Sequence, residues 1–459
     1  MRPVSLSQLA AWCEGRHLGA EATIEAIGTD SRKLPPNALF VALRGENFDG
    51  HDFVAQAAAN GAAALLLHRD VETGLPRVLC ADTEEALGEI AAGMQKGRPA
   101  VVVALTGSNG KTSVKTLVTG MLARAGRTYC NPGNRNNEIG LPLAVLDAPE
   151  DAAFAVYEMG AGKPGDIAYL ASIVPPQVAL VNNVAPAHME RMGSLLGIAE
   201  TKGAIYEALP DDGIAVINAD DAFAPWFHTV VGARRSFRFG IDNDADVRAS
   251  RVLPRPEGSR FLLHTPAGQA EIALPLPGLH NVRNALAASA LALAAGAPLE
   301  AIVAGLQEAQ PVAGRQVAFR LGNGATVVDD SYNANPGSVA AAIATLAGAG
   351  GEGWLVLGDM KELGPEAEAL HAQIGAQARE ARIARLWTVG ALSRAASAAF
   401  GAKAAHFDSQ DALVAALKEA MDGTDAAQLR LLVKGSRSSA MDRVVAALRG
   451  ADGEGGHAA

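Results

Sequence analysis

Residues 101–126 read V-V-V-A-L-T-G-S-N-G-K-T-S-V-K-T-L-V-T-G-M-L-A-R-A-G. Val101–Leu105 is a short apolar run with the length of a strand buried on both faces. Gly107, Ser108, Asn109, Gly110, Lys111 and Thr112 are too polar and glycine-rich to extend it. Beyond Lys111, the apolar residues Val114, Leu117, Val118, Met121, Leu122 and Ala125 recur at helical spacing, and Gly126 can stop that helix. Strand, glycine loop, Lys-Thr and helix together predict a phosphate-binding loop. Backbone N–H groups in such a loop, and the positive end of the helix behind it, attract phosphate oxygens. Lys111 is expected on the β- and γ-phosphates and Thr112 on Mg²⁺, with Ser113 completing the nucleotide-binding stretch. A standard G-x-x-x-x-G-K-[ST] loop would carry glycine where this chain has Leu105, so the loop is a shorter form.

The composition narrows the class. A chain of 459 residues, 49% hydrophobic and 19% charged, suits a soluble globular protein of about three domains. A net charge of −10 argues against a general nucleic-acid or anionic-membrane surface. Cys13, Cys80 and Cys130 are scattered without metal-ligand spacing, which fits a reducing compartment. The opening M-R-P-V-S-L-S-Q-L-A-A-W lacks a signal-peptide apolar core, and no apolar run reaches about 18 residues. A cytoplasmic protein is expected, with neither nucleic acid nor membrane as partner.

Residues 1–98 read as a small α/β domain, with a helix over Leu6–Trp12, strands over Leu39–Leu43 and Ala64–Leu67, and a helix over Phe53–Asn60. The polar loop Arg44–His51 suits either an anionic ligand or a solvated turn. Residues 99–313 alternate strand and helix, the pattern of a mostly parallel sheet whose ligands bind beyond the strand ends. Glu158 ends the apolar run Ala152–Tyr157, where a carboxylate can meet the Mg²⁺ of a phosphate loop. Val178–Val181 is the next strand, followed by Asn182, Asn183 and His188. In the following helix Leu195, Ile198, Ile205 and Leu209 mark an inward stripe, with Lys202 in the missing place. Lys202 is then either a lysine snorkelling at the rim or a buried, neutral amine of depressed pKa. Residues 214–218 form a strand and 236–276 a β-rich insertion; Pro277–Asn284 then opens an Ala/Leu-rich helix to Ala295, Pro298–Leu306 is a second helix, and 311–315 reads as a hinge. Residues 314–450 are again α/β, with polar clusters after the strands Thr326–Val328, Trp354–Leu357 and Leu429–Val433. The tail from Gly450 is expected to be disordered.

Several of these stretches, in one order along the chain, resemble the Mur ligase family: T-D-S-R-K, L-F-V-A-L-R-G-E-N-F-D-G-H-D-F, T-G-S-N-G-K-T-S, G-N-R-N-N-E-I-G, Y-E-M-G-A, L-V-N-N-V-A-P-A-H, K-G-A-I-Y, H-N-V-R-N, D-D-S-Y-N-A-N-P, L-G-D-M-K-E-L-G and V-K-G-S-R-S. The last domain lacks the D-N-P-R signature of members that add meso-diaminopimelate, and its motifs are similar to those of the dipeptide-adding members. The resemblance implies an α/β fold of three domains: 1–98 holding a UDP-sugar peptide, 99–313 a central ATPase, and 314–450 a Rossmann-like domain that swings in, ahead of a tail at 451–459. It implies ATP and two Mg²⁺ ions, with UDP-N-acetylmuramoyl-tripeptide and D-alanyl-D-alanine as substrates of a monomer.

Carried over by position, Gly107 to Ser113, Asn281, Arg315 and Asp330 would contact ATP. Ser31, Arg32, Asn136, Asn137, Asn333, Lys434, Ser436 and Arg437 would contact substrate. Thr112 and Glu158 would hold one Mg²⁺, and His188 with a carbamylated Lys202 the second. Lys111, Glu158, His188 and Lys202 are thus the candidate catalytic groups. The carbamate also has a charge rationale, since an ammonium repels Mg²⁺ and a carbamate offers it a hard oxygen. Folylpolyglutamate synthase shares such an ATPase core but needs no UDP-binding domain. A nucleotide-gated binding module would bind ATP without making an amide.

Overall fold

The computed structural model describes residues 1–45, 48–187 and 189–450. Its centre is a nine-stranded sheet built outward from the strand Val101–Thr106. That strand pairs in parallel with Phe154–Glu158 on one side and Val178–Val181 on the other. Thr128–Cys130 lies beyond the first, and Ile214–Asn218 and Arg235–Gly240 beyond the second, all in parallel. Side chains alternate across the sheet. Val103 and Leu105 join Val114, Leu117, Val118 and Leu286 in one core, while Val102 and Ala104 join Leu141, Val145, Ile198 and Ile205 in the other. Near-continuous apolar strands follow from burial on both faces. The chain passes from one side of Val101–Thr106 to the other, so a crevice opens at the carboxyl ends of these strands.

Residues 236–276 are not a separate insertion. Val247–Arg255 pairs with Arg235–Gly240, and Gly258–Thr265 and Gly268–Leu274 continue antiparallel, extending the same sheet. Phe261, Leu263 and Ile272 face the core shared with helix Leu279–Ala294, which is why the hairpin docks.

A five-stranded sheet precedes the central one, ordered Arg16–Leu18, Arg77–Leu79, Ala64–Leu67, Ala38–Val41, Ala26–Gly28. The expected helix over Phe53–Asn60 is a 3₁₀ turn, Gly50–Phe53, leading into Val54–Ala59. Asp49 caps the turn by accepting the His51 N–H. A six-stranded sheet follows the central one, ordered Val317–Arg320, Thr326–Asp330, Leu429–Lys434, Glu352–Gly358, Arg385–Val389, Ala404–Phe407. It is parallel except for its first strand. Among the described residues no helix is long and apolar enough to cross a membrane.

Candidate active site

The phosphate loop is braced by the asparagines around it. Ser108 N–H donates to the Asn183 carbonyl at 3.0 Å, and Asn109 N–H to Asn183 Oδ1 at 2.8 Å. Asn182 Nδ2 in turn donates to the Asn109 carbonyl at 2.9 Å. Gly110 has φ 79°, and a Cβ there would lie 2.4 Å from Asn284 Oδ1 and 2.6 Å from Asn182 Nδ2. Both the backbone conformation and the space therefore require glycine. Helix Lys111–Leu122 begins with no side chain capping its first turn, leaving N–H donors for an anion. Lys111 Nζ curls back to the Gly107 carbonyl at 2.7 Å. Burial pushes its pKa down, Glu158 opposes, and Arg315 adds to the fall.

Glu158, 3% exposed, is the hub beside this loop. Its Oε2 accepts from Thr112 Oγ1 at 2.9 Å and its Oε1 from Asn136 Nδ2 at 2.9 Å. Asn131 brackets the backbone: Oδ1 accepts the Glu158 N–H at 2.9 Å, and Nδ2 donates to the Glu158 carbonyl at 3.0 Å. Lys115 Nζ sits 3.5 Å from Oε2. Neither Asn131 nor Lys115 was singled out from the sequence. For Lys115 the signal existed, since it shares a helix stripe with Val118 and Leu122, the same irregularity that drew attention to Lys202.

Lys202 lies deep under the crevice at 2% exposure, between the buried Ile198 and Ile205 of helix Leu195–Glu207. Leu195, expected on that inward stripe, is instead 40% exposed at the helix start, where the chain has not yet turned under the sheet. Burial brings the Lys202 pKa down to about 7, with Lys111 repelling its charge and Asp166 opposing. Its burial, not its titration, excludes the rim-snorkelling alternative. His188 lies outside the described residues.

The far wall comes from the last sheet. Arg315 lies over the Tyr332 ring at 4.3 Å, and Lys434 Nζ bonds Asp330 at 2.8 Å and the Asn333 carbonyl at 2.9 Å. Burial raises the Asp330 pKa, and Lys434 and Arg315 oppose it. Asn335 Nδ2 reaches across to Asn109 Oδ1 at 2.7 Å. Asn281, at the start of helix Leu279–Ala294, donates to the Pro277 carbonyl at 2.8 Å, and neighbouring Arg283 pairs with Asp242 at 2.8 Å. These groups enclose a cleft of about 830 Å³ that also takes in Asn137 and Arg437.

Three expected substrate contacts lie apart from this cleft. Ser436 turns inward, its N–H on the Asp359 carbonyl at 2.9 Å and its Oγ 2.9 Å from Ser439 Oγ. Ser31 and Arg32 belong to the first sheet's domain, where Ser31 Oγ donates to Gln56 at 2.6 Å. Arg32 forks onto Asp30 at 2.8 Å and holds that carboxyl down at about 2. The nearby turn is held by its own bonds: His51 Nδ1 meets Asp49 at 2.7 Å, and its Nε2 accepts the His68 N–H at 3.2 Å. Asp49 also pairs with Arg69 at 3.1 Å. These bonds bury His51 within the turn, and residues 46 and 47 of the same loop lie outside the described residues.

The hard oxygens of Thr112 and Glu158, side by side, suit Mg²⁺. Lys202 suits it only as an oxygen donor, since an amine nitrogen is a poor ligand for so hard a cation.

Comparison with known proteins follows the same division. Residues 23–97 match the description "Mur ligase family, catalytic domain", 105–292 "Mur ligase middle domain", and 314–437 "Mur ligase, glutamate ligase domain". UDP-N-acetylmuramoyl-tripeptide–D-alanyl-D-alanine ligase of Escherichia coli (strain K12) is 46% identical over 98% of this chain and 99% of its own. A crystal structure of MurF from Acinetobacter baumannii superposes with a TM-score of 0.94 at 34% identity, covering 98% of this chain and 99% of that one. MurF ligase from Thermotoga maritima in complex with ADP gives 0.84 at 26% identity, covering 92% and 97%. From its first sheet to its last, the chain belongs to the Mur ligase family.

Proposed function

We propose that this chain is an ATP-dependent amide ligase that joins D-alanyl-D-alanine to UDP-N-acetylmuramoyl-tripeptide, releasing ADP and phosphate. The observation that carries it is the cleft itself. A phosphate loop with Lys111 and Thr112 faces Arg315, Lys434 and Asp330 of a different domain, in a chain nearly half identical to a ligase of that name. The domains at 1–98, 99–313 and 314–450 then take UDP-sugar peptide, ATP and the incoming dipeptide.

The chemistry follows from what a carboxylate lacks. Its leaving group would be oxide, so the peptide carboxylate first attacks the γ-phosphorus of ATP, and ADP departs. The acyl phosphate now carries phosphate as leaving group. The dipeptide amine attacks its carbonyl carbon, loses a proton, and the tetrahedral intermediate expels phosphate as the amide forms. Lys111 and Arg315 would neutralise charge on the transferring phosphoryl group, while the backbone donors of Gly107 to Ser113 would hold the chain of phosphates. Asn281 and Asp330 serve the nucleotide; Asn136, Asn137, Asn333, Lys434 and Arg437 serve the substrates, with Ser31, Arg32 and Ser436 acting from outside the cleft. Enclosure between two domains keeps water from the acyl phosphate.

Thr112 and Glu158 would hold one Mg²⁺, and a carbamylated Lys202 with His188 a second. These ions supply Lewis-acid neutralisation of phosphate charge. A neutral amine near pH 7 is what carbon dioxide needs to form the carbamate, and burial supports that state in Lys202. The enzyme is proposed to act as a cytoplasmic monomer.

Mass spectrometry decides between this reading and a sister ligase. With ATP, equal UDP-N-acetylmuramoyl-tripeptide and UDP-N-acetylmuramoyl-dipeptide, and equal D-alanyl-D-alanine and diamino acid, the product should be the pentapeptide. Addition of the diamino acid to a UDP-muramoyl dipeptide instead would overturn the substrate assignment, and nucleotide binding without any amide product would favour the binding module.

A further inference from the structure

Lys115 has no part in the chemistry above, yet it is among the best-anchored charges in the molecule. Its side chain is 5% exposed. Its Nζ donates to the carbonyls of Asn131 at 2.9 Å and Gly133 at 2.8 Å, and stands 3.5 Å from Glu158 Oε2. A buried ammonium is tolerated only where acceptors surround it. Here the acceptors come from two separate segments, and the lysine comes from a third, the helix that begins with Lys111 and Thr112.

The segment it grips leads straight to the cleft. Asn131 Nδ2 donates to the Arg135 carbonyl at 2.8 Å, closing the turn. Asn136 follows, with its amide on Glu158, and then Asn137, whose Oδ1 accepts the Gly140 N–H at 2.9 Å and starts the helix Gly140–Asp147. The turn has no strand or helix of its own to fix it. Lys115 is one turn below Lys111 on the same helix face, so a displacement of the phosphate-loop helix is carried directly to the 131–137 turn.

We propose that Lys115 is a positioning residue that couples the nucleotide loop to the turn bearing Asn136 and Asn137, setting that turn for the UDP-tripeptide. The proposal rests on the ligase reading above for the identity of that substrate. Lys115 touches no reacting atom; it acts through Asn131, Gly133 and Glu158.

Calorimetric binding of ADP and of UDP-N-acetylmuramoyl-tripeptide to the full-length protein tests it, using Lys115→Met, Lys115→Arg, Asn136→Ala and the Lys115→Met/Asn136→Ala double variant. Lys115→Met should weaken tripeptide binding at least tenfold while ADP binding changes less than threefold, and Lys115→Arg should recover most of the loss. In the Asn136→Ala background, Lys115→Met should cost less than a further threefold, because both changes disable one unit. Wild-type tripeptide affinity in Lys115→Met, or losses that multiply in the double variant, would overturn the proposal. Should Lys115→Met fail to fold, hydrogen exchange on the wild-type protein decides. Saturating ADP should slow exchange across the amides of residues 131–137, and unchanged rates there would overturn the coupling. A wild-type protein that binds ADP but no UDP-tripeptide would defeat the ligase reading instead, with the exchange measurement still deciding the coupling.

Discussion

Helix Thr83–Gln95 of the first domain buries Leu87, Ile90 and Met94 in the same core as Leu141 and Val145 of the central domain. Arg98 and Arg2 seal that joint by pairing with Glu150 at 2.6 and 2.8 Å. The joint between the central and last domains is built differently. The apolar clusters of the last domain contain none of the central domain's residues. What meets across the gap is polar: Asn335 on Asn109, and Lys434 close enough to influence His280. Apolar joints are stiff and water-free, whereas polar ones let domains move relative to each other. The difference assigns rigidity to the first joint and substrate access to the second, where the reactive groups lie.

The greatest loss should come from the polar side. Lys111→Ala should cut turnover at least about a thousandfold, or about 4 kcal/mol of barrier, with circular dichroism unchanged, since its charge serves phosphate. Turnover within about tenfold of wild type would remove the reason to place chemistry there. Lys202, buried close enough to Lys111 to feel its charge, comes next. Lys202→Arg should lose about a hundredfold, as much as Lys202→Ala, because a guanidinium stays positive and cannot be carbamylated. Wild-type activity should fall in carbon-dioxide-free buffer and return with bicarbonate; an active Lys202→Arg variant would contradict the carbamate.

On the apolar side, Leu87→Ala should cost about 3 kcal/mol of stability through the cavity it leaves. In scanning calorimetry the first and central domains should still melt as one transition. Separate melting of the first domain would break the contrast between the joints. The smallest effect is a probe of the polar joint. Burial, Lys434 and Arg283, in that order, bring the His280 pKa down from 6.5 to about 4. The unfolded state therefore takes up a proton between about pH 6.5 and 4 while the folded state does not, so this group's contribution to stability is intact above 6.5 and is lost as pH falls through that window. Lys434→Met should raise the pKa seen by NMR, by less than one pH unit because burial dominates. No rise would mean that the last domain rests further from His280 in solution.

The phosphate loop was legible because an apolar strand, two glycines and a lysine before a helical stripe admit few other folds. Glu158 was legible from its place at a strand end. The joints were not: the stripe of Leu87, Ile90 and Met94 announces a buried helix face without saying which neighbour covers it. Asn335 and Asn109 stand 226 residues apart, and no local pattern links them. Residues 236–276 read as an insertion because their alternation reports a half-buried face, not the sheet they join. Leu195 fitted the helical period but precedes the point where the helix becomes covered.

Isotope transfer tests the acyl-phosphate chemistry most directly. With both oxygens of the tripeptide's reacting carboxylate labelled with oxygen-18, the attack on ATP places one labelled oxygen between carbon and phosphorus. When D-alanyl-D-alanine displaces phosphate, that oxygen leaves with it and the other stays in the amide. Mass spectrometry should find one label in each phosphate released and one in each amide formed. Phosphate without label, alongside amide product, would contradict the acyl phosphate and with it the proposed reaction.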